Sequence, residues 1–213
     1  MNRDISPLDR AIGYLDEGMR VVFGPSVASE RPNPADGIQE TELPGSVRDL
    51  AGRLMRVNHA GEVCAQALYQ GQSLVARDVS IRESLKRSAQ EENDHLAWTA
   101  QRVRELGTLP SRFNLLWYAG SFAIGAASGA AGDRWNLGFL AETETQVVEH
   151  LRRHLAQLPI EDRKSRTIIE QMAEDESRHA TTAIQGGAKE LPALAKIAMR
   201  LIARAMTRTS YWL

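Results

Sequence analysis

Two copies of Glu-x-x-His, each lying inside a stripe of apolar residues at helical spacing, constrain this chain more than any other feature. The first is in Gln90-Glu91-Glu92-Asn93-Asp94-His95. A separation of three residues places Glu92 and His95 on one helix face. Around them Ile81, Leu85, Ser88, Glu92, His95, Thr99, Val103 and Leu106 recur at steps of four and three, the pattern of a helix that buries one side. An unpaired carboxylate in the middle of such a face would cost several kcal/mol or be driven neutral. The chain must therefore supply a positive partner for Glu92, and a bound metal would meet that need.

The second copy is Glu176-Ser177-Arg178-His179, in the stripe Ile169, Met172, Glu176, His179 and Ala183. Two lone glutamates complete the arrangement. Glu62 shares a face with Ala51, Met55, Asn58, Ala65 and Tyr69, and Glu144 shares one with Leu137, Leu140, Val147, Leu151 and Leu158. Glu142 lies about 200° and Glu149 about 140° from Glu144 around a regular helix, so both are expected to face water. The chain order is Glu, Glu-x-x-His, Glu, Glu-x-x-His, a two-helix unit used twice. With 17 Glu and 5 His in 213 residues, chance alone would give about 0.4 Glu-x-x-His pairs, so two in stripe positions are informative. The candidate metal ligands are Glu62, Glu92, His95, Glu144, Glu176 and His179.

The remaining residues bound the class. The length suits one domain over residues 1–213 with a sizeable core, and 43% hydrophobic with 25% charged residues is the composition of a globular chain. A net charge of −1 argues against general nucleic-acid binding. Cys64 is the only cysteine, which excludes an intrachain disulfide; it is expected to be a small buried hydrophobe off the metal face. The first residues lack a signal-peptide apolar core and are too acidic for a mitochondrial presequence, so the chain reads as a mature cytoplasmic protein of bacterial type.

A helix is expected from about Ser6 to Phe23, with Ser6 as cap and Pro7 at its first position. Gly24 to Gly45, with Pro25, Pro32, Pro34 and Pro44, reads as a linker or an arm over the bundle, so that residues 1–45 form an N-terminal appendage without a legible role. Ser46-Val47-Arg48-Asp49 is a start signal for the first helix of a bundle over residues 46–190. The small residues Ala60 and Gly61 beside Glu62 suggest close approach of a neighbouring helix or of the cluster. His59 is expected to support the site or the core, and His150 and His154 fall well off the Glu144 stripe.

Residues 107–133 form a connection too long for a hairpin. Its segment 113–129 has no charged residue and is rich in small and aromatic side chains, as a crossover helix packed on a bundle would be. It is short for a membrane span and carries Gly120, Gly125 and Gly129. Partial exposure to lipid or to an apolar substrate would suit it, with Trp117 and Tyr118 at the interface. In residues 191–213, Lys196, Arg200, Arg204 and Arg208 recur every four residues beside Leu194, Ile197, Leu201, Ile202 and Ala205, ending in Tyr211-Trp212. That is a basic amphipathic helix fit to lie on an anionic membrane or to dock on the bundle or a partner.

Taken together, Arg56-Val57-Asn58-His59-Ala60-Gly61-Glu62, Glu91-Glu92-Asn93-Asp94-His95, the apolar crossover with Trp117, Glu142-Thr143-Glu144 and Asp175-Glu176-Ser177-Arg178-His179 resemble the demethoxyubiquinone hydroxylase family in a bacterial form, over about residues 50–213. These are the di-iron monooxygenases of ubiquinone biosynthesis. The resemblance implies an all-α, ferritin-like four-helix bundle with an apolar crossover helix and additional N- and C-terminal helices. It implies two irons per chain held by the six residues named above, with Glu92, Glu144 and Glu176 as bridges. O2 would be the co-substrate and the ring of 2-polyprenyl-3-methyl-6-methoxy-1,4-benzoquinol the site of hydroxylation, with the reductant open. The implied location is peripheral, on the cytoplasmic face of the bacterial cell membrane, with a biosynthetic complex or a second copy of the chain as further partners. Where the family often has Asp before His-Ala-Gly-Glu, this chain has Asn58, which keeps a hydrogen bond but not a charge.

Ligand chemistry agrees with that implication. Four ionised glutamates balance two divalent ions, so the cluster is neutral when reduced, and mixed carboxylate and imidazole donors suit iron or manganese. Two other classes share the pattern. A ferroxidase or peroxide-scavenging protein would use the same six ligands without a preference for quinols, and a membrane-surface scaffold would need none of them to work.

Overall fold

In the computed structural model, residues 7–24, 31–39 and 42–213 are described, and their regular elements are all α-helices. They are α1 (Pro7–Phe23), α2 (Gly45–Val75), α3 (Val79–Glu105), α4 (Asn114–Ala130), α5 (Asp133–Gln157), α6 (Arg163–Gln185) and α7 (Ala193–Trp212). The helices α2, α3, α5 and α6 make the bundle, as two hairpins: α2 packs along α3 and α5 along α6. The expected cap Ser6 lies outside the described residues, as do residues 25–30 and 40–41 of the expected arm.

Local chemistry sets the helix boundaries. The carboxylate of Asp78 accepts from the backbone N–H groups of Ser80 (2.7 Å) and Ile81 (3.4 Å), which would otherwise lack partners at the start of α3. Asp162 does the same for Ser165 N–H (3.0 Å) at the start of α6. The buried Arg102 of α3 donates to that same Asp162 (2.7 Å) and to Ser165 Oγ (2.8 Å), tying the two hairpins together at one end. At the other end Asp133 accepts from Arg77 and Asp78 N–H (3.0 and 2.9 Å), fixing α5 against the α2–α3 turn. The expected Ser46 start signal is displaced by one residue: α2 begins at Gly45 after Pro44, and no side chain caps it.

The crossover α4 lies on α2, and glycine permits the contact. A Cβ on Gly71 would sit 2.3 Å from the Phe122 carbonyl oxygen, and one on Gly125 2.4 Å from that of Leu68. The backbones meet where larger residues would hold them apart. Of the two aromatics expected at an interface, Tyr118 is instead buried, its hydroxyl donating to Gln70 Oε1, because it lies on the α2-facing side of α4. Leu115 and Leu116 take the outward positions.

The main core comprises Leu54, Met55, Trp98, Val103, Leu151, Ile168, Ile169 and Met172 between the hairpins, and residues 31–39 and 42–44 add Ala35 and Leu43 to it. The arm is therefore part of the bundle's packing. α7 is tied at both ends: Lys196 and Arg200 approach Glu142 at 3.3 and 3.8 Å, and Arg112 N–H donates to Leu213 O at 3.0 Å. Glu142 thus faces α7 and is mostly covered, contrary to the expectation that it faces water, because α7 supplies the cations its position needs; Glu149 is exposed.

Candidate metal centre

Each bundle helix delivers one or two of the six candidate ligands to the space between the hairpins. α2 brings Glu62, α3 brings Glu92 and His95, α5 brings Glu144, and α6 brings Glu176 and His179; all six are buried. They form two overlapping groups of four, Glu62, Glu92, His95 and Glu176, and Glu92, Glu144, Glu176 and His179, each with its donor atoms within 4.8 Å of one another. Glu92 and Glu176 belong to both groups, whereas Glu144, expected as a third bridge, belongs to the second alone.

The imidazoles point inward in the same way. His95 Nδ1 lies 3.1 Å from Glu92 Oε2, 3.1 Å from Glu176 Oε1 and 3.7 Å from Glu62 Oε2. His179 Nδ1 lies 3.2 Å from both Glu92 Oε1 and Glu176 Oε2. Tyr69 donates its hydroxyl to Glu144 Oε1 at 2.7 Å. The electrostatics are those of a crowded buried anion site. Burial, followed by the repulsion of neighbouring carboxylates, pushes Glu62 and Glu144 well above the usual range. Burial also acts on His95 and His179, but the surrounding carboxylates outweigh it and raise both imidazoles, His179 to about 11. These shifts express one need, positive charge among the four carboxylates, which protons on histidine meet partially and divalent ions meet fully. One buried carboxylate oxygen, Glu62 Oε2, has no hydrogen-bond donor, His95 Nδ1 standing 3.7 Å away, as a metal-facing oxygen would not. The donor set fits a pair of hard divalent cations.

A ring of residues around the six was missed by helix periodicity. His95 Nε2 lies 2.9 Å from Asp175 Oδ2, and His179 Nε2 lies 3.1 Å from Glu91 Oε2, so a carboxylate orients each imidazole from behind. Arg178 Nη2 joins the two carboxylates, donating to Asp175 Oδ1 (2.8 Å) and Glu91 Oε2 (2.9 Å). Arg31, from the arm, donates to Asp175 Oδ2 (2.7 Å) and Asp94 Oδ2 (2.8 Å), and its guanidinium lies over the Trp98 ring, which packs on His95. Asp175 and Glu91 adjoin candidate ligands in sequence, the one signal that could have pointed to them. Nothing in the sequence pointed to Arg31.

A cavity of about 1100 Å³ reaches Glu62, Glu144 and Glu176, and none of Asp175, Glu91, Arg178 and Arg31 lines it. It runs between α2, α4, α5 and α7, past Leu68, Trp117, Ile124, Phe139 and Met199. Gly61 lines it, and a Cβ built there meets nothing within 4 Å. The glycine beside Glu62 therefore keeps space open, whereas close approach of a neighbouring helix or of the cluster had been expected. Cys64 lines the same cavity and is only partly covered, and its thiol is raised to about 11 by burial. His59 is buried and held neutral, down to about 4, by burial and by Arg104.

Comparison with known proteins follows the same lines. A family model described as ubiquinone biosynthesis protein COQ7 matches residues 49–210. The chain is 54% identical over 211 residues to a 3-demethoxyubiquinol 3-hydroxylase of Nitrosococcus oceani, covering 99% of each protein. It is 55% identical over 204 residues to the protein of that name from Chromobacterium violaceum, and 54% identical over 204 residues to that of Aromatoleum aromaticum, covering 96% of this chain and 98% of each relative. The Nitrosococcus alignment takes in most of the residues ahead of 49, including the arm that carries Arg31.

Proposed function

The chain belongs to the COQ7 family of ubiquinone biosynthesis proteins, and from that membership and the site we infer that it is an O2-dependent hydroxylase of the ring of a prenylated methoxy-benzoquinol, 2-polyprenyl-3-methyl-6-methoxy-1,4-benzoquinol. The observation that carries the reading is the meeting of a buried carboxylate and imidazole cluster with a large apolar cavity at Glu62, Glu144 and Glu176. The volume lies just above that of most small-molecule pockets, about 300–1,000 Å³, as a ring with a prenyl tail requires. A protein that only oxidises iron or scavenges peroxide has no use for such a space.

In this reading Glu62, Glu92, His95 and Glu176 would hold one iron ion, and Glu92, Glu144, Glu176 and His179 would hold a second. When bound and reduced, the iron pair supplies the activation of O2. The chain's own residues do the rest. Asp175 and Glu91 hold His95 and His179 with Nδ1 inward, Tyr69 fixes Glu144 by its hydrogen bond, and the apolar walls exclude water and align the ring with the open side of the cluster.

Peripheral attachment to a membrane completes the proposal. No helix among the described residues is long and apolar enough to cross a membrane. α7 lies along the cavity with Ala195, Ala198 and Met199 toward it, and leaves Leu194, Ile197, Leu201 and Trp212 exposed; α4 leaves Leu115 and Leu116 exposed. An apolar face beside the cavity suits a substrate whose tail starts in lipid. Lys196 and Arg200 are turned toward Glu142, which leaves Arg204 and Arg208 as the basic residues of α7 available to an anionic surface.

The test is metal content of anaerobically purified protein, followed by O2-dependent hydroxylation of a short-tailed quinol. Two irons per chain with hydroxylated product are expected, and Glu144→Ala should abolish turnover while the bundle stays folded. Wild-type turnover in Glu144→Ala would refute the reading; two irons without product would shift it to ferroxidase or peroxidase chemistry.

A further inference from the structure

We propose that His154 is a hydrogen-bond acceptor for a ring hydroxyl of the substrate, held in that role by Asn58, and that it makes the cavity select the reduced quinol over the quinone. The proposal rests on the quinol-hydroxylase reading above. His154 and Asn58 are both buried and both line the cavity, Asn58 one helical turn before Glu62 on the same face of α2. The cavity surface is mostly apolar, and Asn58 and His154 form a hydrogen-bonded polar pair in its wall, beside other polar lining residues that include Thr143, Gln146, His150 and Arg153.

The orientation of each group follows from its neighbours. Asn58 Nδ2 faces the Met55 sulfur at 3.7 Å. A thioether accepts weakly and cannot donate, so the amide nitrogen belongs on that side and the oxygen on the other. Asn58 Oδ1 then lies 2.8 Å from His154 Nδ1, and because an amide oxygen only accepts, Nδ1 carries the proton. The lone pair is left on Nε2, which makes no hydrogen bond among the described residues. Burial, the neighbouring His150 ring at 4.0 Å and Arg153 oppose protonation, lowering His154 to about 2, so the ring stays a neutral acceptor near pH 7.

An unpaired lone pair of fixed direction on the cavity wall distinguishes the two redox forms of one ligand. The quinol offers an O–H where the quinone offers a carbonyl oxygen, and two facing acceptors leave both unsatisfied. Sites built around one hydroxyl discriminate strongly against analogues that lack it. The idea needs no change in the metal ligands and adds a reason for Asn58, whose hydrogen bonds go to Met55 and His154.

The experiment is anaerobic equilibrium binding of a one-isoprene methoxy-benzoquinol and of its quinone to the full chain loaded with redox-inert zinc. Wild-type protein is expected to bind the quinol at least about tenfold more tightly than the quinone. His154→Leu, and the double variant Asn58→Leu with His154→Leu, should bring that ratio to within about twofold of unity with helix content and metal stoichiometry unchanged. The double variant removes donor and acceptor together and so guards against misfolding from an orphaned amide. Asn58→Leu alone should reduce the preference by releasing the tautomer. A ratio that survives His154→Leu, or that is already near unity in the wild type, overturns the proposal. Hydroxylation by the iron-loaded wild type is measured alongside: turnover with a surviving ratio defeats this proposal alone, whereas absence of turnover and of quinol binding defeats it together with the functional reading.

Discussion

Replacing Asp175 by Asn tests the ring behind the cluster. Asp175 is fully buried and receives four donors: His95 Nε2 (2.9 Å), Arg31 Nη2 (2.7 Å), Arg178 Nη2 (2.8 Å) and Gln171 Nε2 (3.2 Å). Burial pushes its carboxyl up, but His95 and Arg31 outweigh that and hold it below the usual carboxylate range, so it is an anion. Asparagine keeps one accepting oxygen and turns two N–H donors toward groups that are themselves donors. At least one arginine or the His95 N–H then loses its acceptor, and the imidazole is no longer fixed with Nδ1 inward. Changes of this kind behind a metal-bound histidine weaken binding by about 10–100-fold, or about 1.4–2.7 kcal/mol. Glu91, the counterpart behind His179, has a side chain 37% exposed, so water can replace part of what Glu91→Gln removes, and its effect should be smaller. Anaerobic calorimetric titration with ferrous or manganous ion should resolve two binding steps in the wild type. In Asp175→Asn one step weakens by the stated factor while the other moves little. Two wild-type affinities in Asp175→Asn, or a larger loss in Glu91→Gln, would refute the assignment of Asp175 as the group that positions His95.

Two glycines of α2 should respond in opposite ways. Gly71→Ala drives a Cβ against the α4 backbone and should cost about 1–3 kcal/mol in thermal unfolding, as overpacking does, whereas Gly61→Leu should preserve or raise the melting temperature but cut quinol hydroxylation at least about tenfold by filling the cavity. For the membrane face, Leu194→Glu with Leu201→Glu should reduce co-sedimentation with anionic vesicles while leaving metal content unchanged; undiminished sedimentation would remove α7 from the account. His59 gives a pH dependence. Its folded value of about 4 lies below the ordinary 6.5, so the unfolded chain takes up the proton first as pH falls. The stability it contributes is complete above about pH 6.5, declines from there to about pH 4, and is down by about 2 kcal/mol at pH 5. Urea unfolding of His59→Gln should show that much less acid sensitivity than the wild type.

What could be read from the sequence and what could not divides along one physical line. A helix repeats its faces every few residues, so a carboxylate on a buried stripe declares itself without knowledge of its neighbours; that is why Glu62, Glu92, His95, Glu144, Glu176 and His179 could be named from spacing and why the structure brings them within a few ångströms of one another. Glu142 shows the limit of the same rule. It does lie about 200° around the helix from Glu144, but water is only one thing that can lie on the far side of a helix, and here Lys196 and Arg200 of α7 lie there instead. Tyr118 fails for the same reason: an aromatic in an apolar segment suits an interface and a core equally, and the partner Gln70 is remote in sequence. Arg31 is harder still, since its arm has no period and its role consists wholly of contacts with Asp94, Asp175 and Trp98.

The glycines carry the argument one step further. Gly61, Gly71 and Gly125 each weaken a helix, and propensity alone cannot separate a glycine that lets two backbones touch from one that keeps a space empty. The structure assigns Gly71 and Gly125 to the first class and Gly61 to the second, because only Gly61 borders the cavity with nothing in front of it. Both classes serve the same end. The close α2–α4 contact at Gly71 and Gly125 fixes the crossover helix that walls the cavity, and the gap at Gly61 keeps that cavity open beside Glu62. The helix propensity given up along α2 is thus accounted for by the geometry of access to the cluster.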